Sequence, residues 1–211
     1  MKSDRIFTTL YNTYPALIPC KSDIEKAFSL LLKCAEKKAL IMVCGNGGSA
    51  ADSEHIVGEL MKGFNLKREL SPEAKAKFNA VDGGNEIADK LQSPVKAISL
   101  VSQVGVISAY ANDCDPSLVF AQQVWGYASS EDDVLIALST SGNSLNIVNA
   151  AKTAKAAGIK CLAVTGEKDS KLSGLSDVTV KLPAHTPFEV QEYTLPVYHA
   201  LCAAVEEELF G

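Results

Sequence analysis

Three groups of side chains in this 211-residue chain have the types and spacing to do chemistry. His55 and Glu59 stand four apart. On a helix that spacing puts an imidazole and a carboxylate on one face, about one turn from each other. Gln191, Glu192 and His199 lie close to the C-terminal end. Gln191 and His199 are eight apart, which is about 80° around a helix of 3.6 residues per turn and allows both to face one cleft. Imidazole and carboxylate are common zinc ligands, glutamine a rarer one. The same groups suit proton transfer by a paired acid and base. The plain alternatives are a solvated surface pair for His55 and Glu59, and a packed core histidine for His199. The third group is Ser139-Thr140-Ser141-Gly142-Asn143-Ser144, with four hydroxyls in six residues. It follows the apolar run Val134–Leu138 and precedes a helical pattern opening at Leu145. Amides at a helix N-terminus are unpaired and carry partial positive charge, so a phosphate held there also gains the hydroxyl donors. Capping alone needs one Ser or Thr.

A second turn, Gly45-Asn46-Gly47-Gly48-Ser49, follows another apolar run, Ala39–Cys44. Glycines there let the backbone turn sharply and approach a ligand closely. Gly45-x-Gly47-x-x-Ala50 also fits a dinucleotide fingerprint, but the acidic residue that pattern wants after a second strand would fall in a charged stretch with no strand before it, so NAD is not expected.

These residues need a framework. Short apolar runs at 39–44, 95–101, 133–138, 160–164 and 178–182 read as five strands. Helical patterns at about 3–18, 22–37 (capped by Ser22), 49–62, 105–111, 116–128, 144–157, 170–174 and 188–208 separate or flank them. Strands alternating with helices predict a three-layer αβα sandwich around a parallel sheet. Residues 63–94 interrupt the alternation. Lys67, Arg68, Glu69, Glu73, Lys75 and Lys77 make them highly charged, and Pro72 and Gly83-Gly84 punctuate them. They read as an inserted excursion with one short helix near 72–78, either a surface loop or a lid or subunit contact beside the site.

Bulk properties narrow the classes. The net charge is −5 and no Lys/Arg run stands out, which argues against nucleic acid. No apolar run approaches the ~18 residues of a membrane span, and none follows Met1–Arg5 as a secretory signal would. Cys20, Cys34, Cys44, Cys114, Cys161 and Cys202 are scattered, which fits a reducing cytoplasm better than a disulfide framework.

Taken together, the segments 44–55, Glu59, Ala111-Asn112-Asp113, 138–144, 162–166, Val190-Gln191-Glu192 and His199 resemble the sugar isomerase (SIS) superfamily, and within it the phosphoheptose isomerases. The resemblance spans most of the chain from residue 38 onward. It implies a flavodoxin-like SIS fold with a five-stranded parallel sheet, residues 1–211 as one SIS domain, and extra N-terminal helices over 1–37. It implies a homotetramer, or a dimer, with active sites between subunits. The implied reaction is ketose–aldose isomerisation of sedoheptulose 7-phosphate to D-glycero-D-manno-heptose 7-phosphate through an enediol. By position, His55, Glu59, Gln191 and His199 match metal ligands, zinc in such isomerases. Glu59 and His199 match the acid/base pair. Asn46, Gly47, Gly48, Ser49, Ser139, Thr140, Ser141, Ser144 and Gln191 match phosphate and sugar contacts, and Asn112 and Asp113 a further polar contact.

Two departures bear on these expectations. The segment 63–94 is longer than in such isomerases and could reshape the pocket. Pro196 falls between Gln191 and His199, where a helix would lose a hydrogen bond and kink. His185 precedes Gln191 and is a further candidate for the site. The rival readings are an isomerase of another sugar phosphate and a non-catalytic SIS module that senses sugar phosphates or binds a partner such as the bacterial replication initiator. Retention of both Glu59 and His199 favours an enzyme, because a binding module needs no acid/base pair.

Overall fold

The computed structural model describes residues 1–211. Its centre is a five-stranded, wholly parallel sheet of β1 (Ile41–Cys44), β2 (Ala97–Ser99), β3 (Val134–Leu138), β4 (Lys160–Gly166) and β5 (Val178–Leu182). The strand order is β2-β1-β3-β4-β5. The chain leaves β1 towards one edge and returns to β3 on the other side. A crevice therefore opens at the carboxyl ends of β1 and β3, where open α/β sheets hold their ligands.

Both faces of the sheet are covered, which is why the strands are continuous apolar runs. Ile41, Val43, Ile136, Leu138, Leu162, Val164 and Val180 point to one side. There they pack against α1 (Asp4–Thr13), α2 (Lys21–Glu36), α3 (Gly48–Met61) and α9 (Pro187–Phe210). Met42, Cys44, Leu135, Ala137, Cys161 and Ala163 point to the other. Their cover is α7 (Val119–Tyr127) and α8 (Leu145–Ala156), with Ile107 of α6 (Val104–Asp113) packed against them. No helix is long and apolar enough to cross a membrane.

Several elements differ from the sequence expectation. Residues 3–18 are not one helix: α1 stops at Thr13 and Pro15–Cys20 form a 3-10 turn. Pro15, lacking an N–H, cannot continue the α-helical ladder. The turn runs straight into α2 at Lys21, so Ser22 lies inside the first turn rather than capping it. No helix forms at 170–174. The Ser170 and Ser173 hydroxyls bond the local backbone instead, Ser173 Oγ receiving the Ser170 amide at 2.9 Å. Helix α9 runs unbroken through Pro196. Pro187 starts it, and the Glu189 carboxylate accepts from the Thr186 amide and hydroxyl at 3.1 and 2.7 Å.

The excursion 63–94 contains two short helices, α4 (Pro72–Ala76) and α5 (Gly84–Ala88), the second not expected. Its two ends are tied together. Glu69 and Gln92 form a bridge, Ser93 N–H donates to Arg68 O at 2.7 Å, and Gly63 N–H donates to Gln92 Oε1 at 2.7 Å.

Asp133 fixes the entry to the sheet. Its carboxylate is 1 % exposed and accepts the Leu40 amide at 2.8 Å and the Ser129 and Ser130 amides at 2.8 and 2.9 Å. Asp133→Ala would leave buried donors without an acceptor, at a cost of about 1–3 kcal/mol for a single such group. We expect a melting temperature lower by at least ~2 °C in a thermal unfolding scan. An unchanged midpoint would refute this role.

Candidate functional site

The crevice is walled by the two glycine-rich turns. The first leaves β1 and enters α3. Gly45 is required there: a Cβ at this position would lie 2.6 Å from the Ser49 carbonyl carbon and 2.8 Å from its Cβ. Gly47 has φ of 57°, a region L-residues rarely adopt. Ser49 is buried in the first turn of α3.

The second turn leaves β3 and enters α8. Because Cys44 pairs with Ala137, the two turns leave the sheet side by side. Gly142 has φ of 62°, and an added Cβ would collide with the Ser170 hydroxyl. Ser144 stands at the N-cap of α8, yet no side-chain hydrogen bond caps that helix. Its hydroxyl instead pairs with Ser139 Oγ at 3.3 Å. The Ser139 and Ser144 hydroxyls therefore meet at the start of a helix without capping it, which suits an anion, while Ser141 Oγ accepts the Asn143 amide at 3.2 Å. The Asn46 and Asn146 carboxamides pair reciprocally at 2.9 Å and join the two turns. Asn146 was missed in the sequence. Its only signal is its place two residues beyond the serine loop.

Gln191 belongs to this end of the site. Its Nε2 is 2.5 Å from where a Cβ on Gly48 would be, so its carboxamide lies on the first turn of α3. Asn112 and Asp113 are on the last turn of α6, exposed and bonded to each other at 2.7 Å. They do not bond to either glycine-rich turn.

The titratable cluster lies further along the same helices. His55 is seven residues past Gly48, two turns or about 10 Å along α3. His55 Nε2 is 3.2 Å from Glu59 Oε1, and His199 Nε2 is 3.5 Å from His55 Nε2. The two imidazole rings meet edge to face with centroids 4.9 Å apart. Glu59 is 13 % exposed, and its other oxygen accepts from Lys62 at 3.2 Å. Tyr198 OH lies 2.9 Å from His55 Nδ1 and 3.4 Å from Asp52 Oδ1. Burial holds the Tyr198 phenol well above its usual range, so it stays protonated, and Asp52 is raised by the same cause. Burial and the adjacent His55 lower His199, partly offset by Glu59, and leave its imidazole neutral at pH 7. Phe64 packs on His199 with centroids 5.5 Å apart. The sequence reading missed Tyr198 and Asp52, which neighbour His199 and stand three residues before His55. His185 pairs with Glu167 at 2.9 Å and stays apart from this cluster. Glu192 is exposed to solvent.

The structure thus brings His55, Glu59 and His199 together but leaves Gln191 two turns away, beside Gly48. Ligand atoms on a tetrahedral zinc stand ~3.3 Å from one another, given Zn–N and Zn–O bonds of ~2.0–2.1 Å. The donor types and the 3.2 and 3.5 Å spacings fit such an ion. The three donors are two pairs sharing His55, and no group of three or more His, Cys, Asp or Glu closes around one point.

Comparison with known proteins agrees with the fold. The SIS domain family matches residues 19–103 and again residues 123–204. The phosphoheptose isomerase of Helicobacter pylori is 33 % identical over 183 residues, covering 87 % of this chain and 82 % of that protein. That of Shewanella denitrificans is 31 % identical over 190 residues, covering 89 % and 84 %. Among solved structures, a phosphoheptose isomerase from Francisella tularensis superposes with a TM-score of 0.73 at 26 % identity, covering 97 % of this chain and 98 % of that one.

Proposed function

The chain belongs to the phosphoheptose isomerase family of SIS domain proteins, and from that premise we propose that it interconverts sedoheptulose 7-phosphate and D-glycero-D-manno-heptose 7-phosphate. The observation that carries the reading is the pairing of Glu59 and His199 around His55, two helical turns from an anion-ready crevice.

The phosphate is held by Ser49, Ser139, Thr140, Ser141 and Ser144 with the first-turn amides of α3 and α8. Asn46, Gly47, Gly48 and Gln191 line the sugar beside it, and Asn112 and Asp113 offer a further polar contact. Glu59 removes the C1 proton of the ketose while the neutral imidazole N–H of His199 donates to the C2 carbonyl oxygen. The C1–H electron pair becomes the C1–C2 double bond of the enediol. The proton on Glu59 is then returned to C2 as the C1 hydroxyl gives its own proton to His199, which restores the neutral imidazole and leaves the aldose. A neutral imidazole can act as this donor because its pKa lies below the working pH. His55, Glu59 and His199 would hold a divalent ion such as zinc, which polarises the carbonyl and stabilises the enediolate when bound. Gln191, from its seat on Gly48, serves the substrate rather than that ion. We further propose one SIS domain over 1–211, a homotetramer with sites between subunits, and a cytoplasmic location in which the six free cysteines stay reduced.

The test is incubation of the purified protein with sedoheptulose 7-phosphate in deuterium oxide, with and without added zinc. Aldose product and deuterium at the transferred position are expected. Absence of both, across a panel of sugar phosphates, would overturn the enzyme reading. Turnover of a different sugar phosphate alone would overturn the substrate.

A further inference from the structure

Arg68 sits in a charged run, Lys67-Arg68-Glu69, yet its side chain is 0 % exposed. All three of its nitrogens are engaged. Nε donates to Glu206 Oε1 at 2.6 Å, Nη1 to Leu60 O at 2.7 Å and Nη2 to Glu59 O at 3.0 Å. The last two acceptors are carbonyls of the final turn of α3, which have no partner within the helix. Its guanidinium also lies 5.0 Å from the Phe210 ring centroid. Glu206 is equally buried and accepts the amides of Phe64, Asn65 and Leu66 at 2.8, 2.6 and 3.1 Å.

This pair ties together the elements that carry the titratable cluster: Arg68 bonds the α3 backbone, and Glu206, itself on α9, bonds the 64–66 loop. Arg68 grips the peptide of Glu59 itself. Glu206 is seven residues past His199 on α9, two turns along roughly the same face. The loop that Glu206 clamps presents Phe64 to the His199 ring. An ion pair that served stability alone needs neither contact, and an apolar pair of similar volume would often serve stability as well.

Resting on the isomerase reading above, we propose that Arg68 and Glu206 are positioning residues. They fix the last turn of α3 and the 63–66 loop against α9, so that Glu59 and His199 hold their spacing about His55. A fork of donors is required at residue 68, because one nitrogen cannot reach the carboxylate and both carbonyls.

Arg68→Lys tests this in the full-length protein, since it keeps a cation beside Glu206 but loses the fork. The expected result is a kcat about tenfold or more lower with KM within about twofold. The imidazole NMR signals of His55 and His199 should shift while those of His185, paired with Glu167, stay in place. Unchanged kcat and unchanged ring signals, measured well below the melting temperature, would overturn the proposal even if stability fell. If Arg68→Lys does not fold, Phe64→Leu leaves the pair intact and removes only the ring against His199. It should lower kcat and shift the His199 signals, and wild-type behaviour would overturn the proposal. Should the wild-type protein turn over no sugar phosphate, the isomerase reading fails by itself, and the ring signals still decide the positioning role.

Discussion

Glu59→Gln should lower kcat by a factor of about 10²–10⁴, the usual weight of a positioned base. The carboxamide is nearly the same shape, so the hydrogen-bond positions towards His55 and Lys62 can stay filled, but it cannot accept a carbon-bound proton. The peptide of Glu59 remains held by Arg68. The crevice between the two glycine-rich turns lies two helical turns away, so phosphate affinity should change by less than about twofold. Deuterium exchange into the sugar measures the first quantity, and titration with inorganic phosphate the second. Exchange at the wild-type rate would remove Glu59 from the proton transfer. Loss of phosphate binding would instead make it a structural residue.

The second large effect is expected at Gly45. An alanine Cβ there falls within 2.8 Å of three atoms of Ser49, its carbonyl oxygen and carbon and its Cβ. Two of these belong to the backbone of the first turn of α3, which cannot rotate out of the way. Either α3 shifts off β1 or the turn opens, at about 1–3 kcal/mol for overpacking. The shift also moves the start of α3 relative to the serine loop, so phosphate binding should weaken by about tenfold or more. Gly58, in the middle of the same helix, is the control, because a Cβ there meets nothing within 4 Å. Gly58→Ala should be neutral or stabilising by up to ~1 kcal/mol. If Gly45→Ala bound phosphate normally, the tight turn would not be what shapes the crevice.

The sheet was legible because parallel strands buried on both faces write themselves as unbroken apolar runs. Val134–Leu138, fully buried along its length, is the clearest of these. The two turns were legible because each concentrates Gly or Ser at the point where a strand hands over to a helix. Element ends were less so. Pro15 split the expected first helix, and Ser170 and Ser173 spent their hydroxyls on the backbone of a turn where a helix had been expected. Within the candidate site, His55 with Glu59 could be read from local spacing. The eight-residue step from Gln191 to His199 is harder to read, because about 80° around the axis comes with ~12 Å of rise along it. Arg68 was the hardest residue to read. Its neighbours in sequence are charged and exposed, and the carboxylate that buries it is 138 residues away on α9. No local window carries that information.

The side-by-side departure of the two turns from β1 and β3 has a consequence for how the chain reaches its working form. Cys44 and Ala137 are neighbours in the sheet although 93 residues separate them in sequence. Such distant pairings carry a large loop-closure entropy and are slow to form. Neither wall of the crevice can cradle an anion before its counterpart arrives. The binding crevice is therefore a product of folding and not a seed for it: a bound phosphate deepens the native basin by mass action and slows escape from it, without hastening the chain's arrival there.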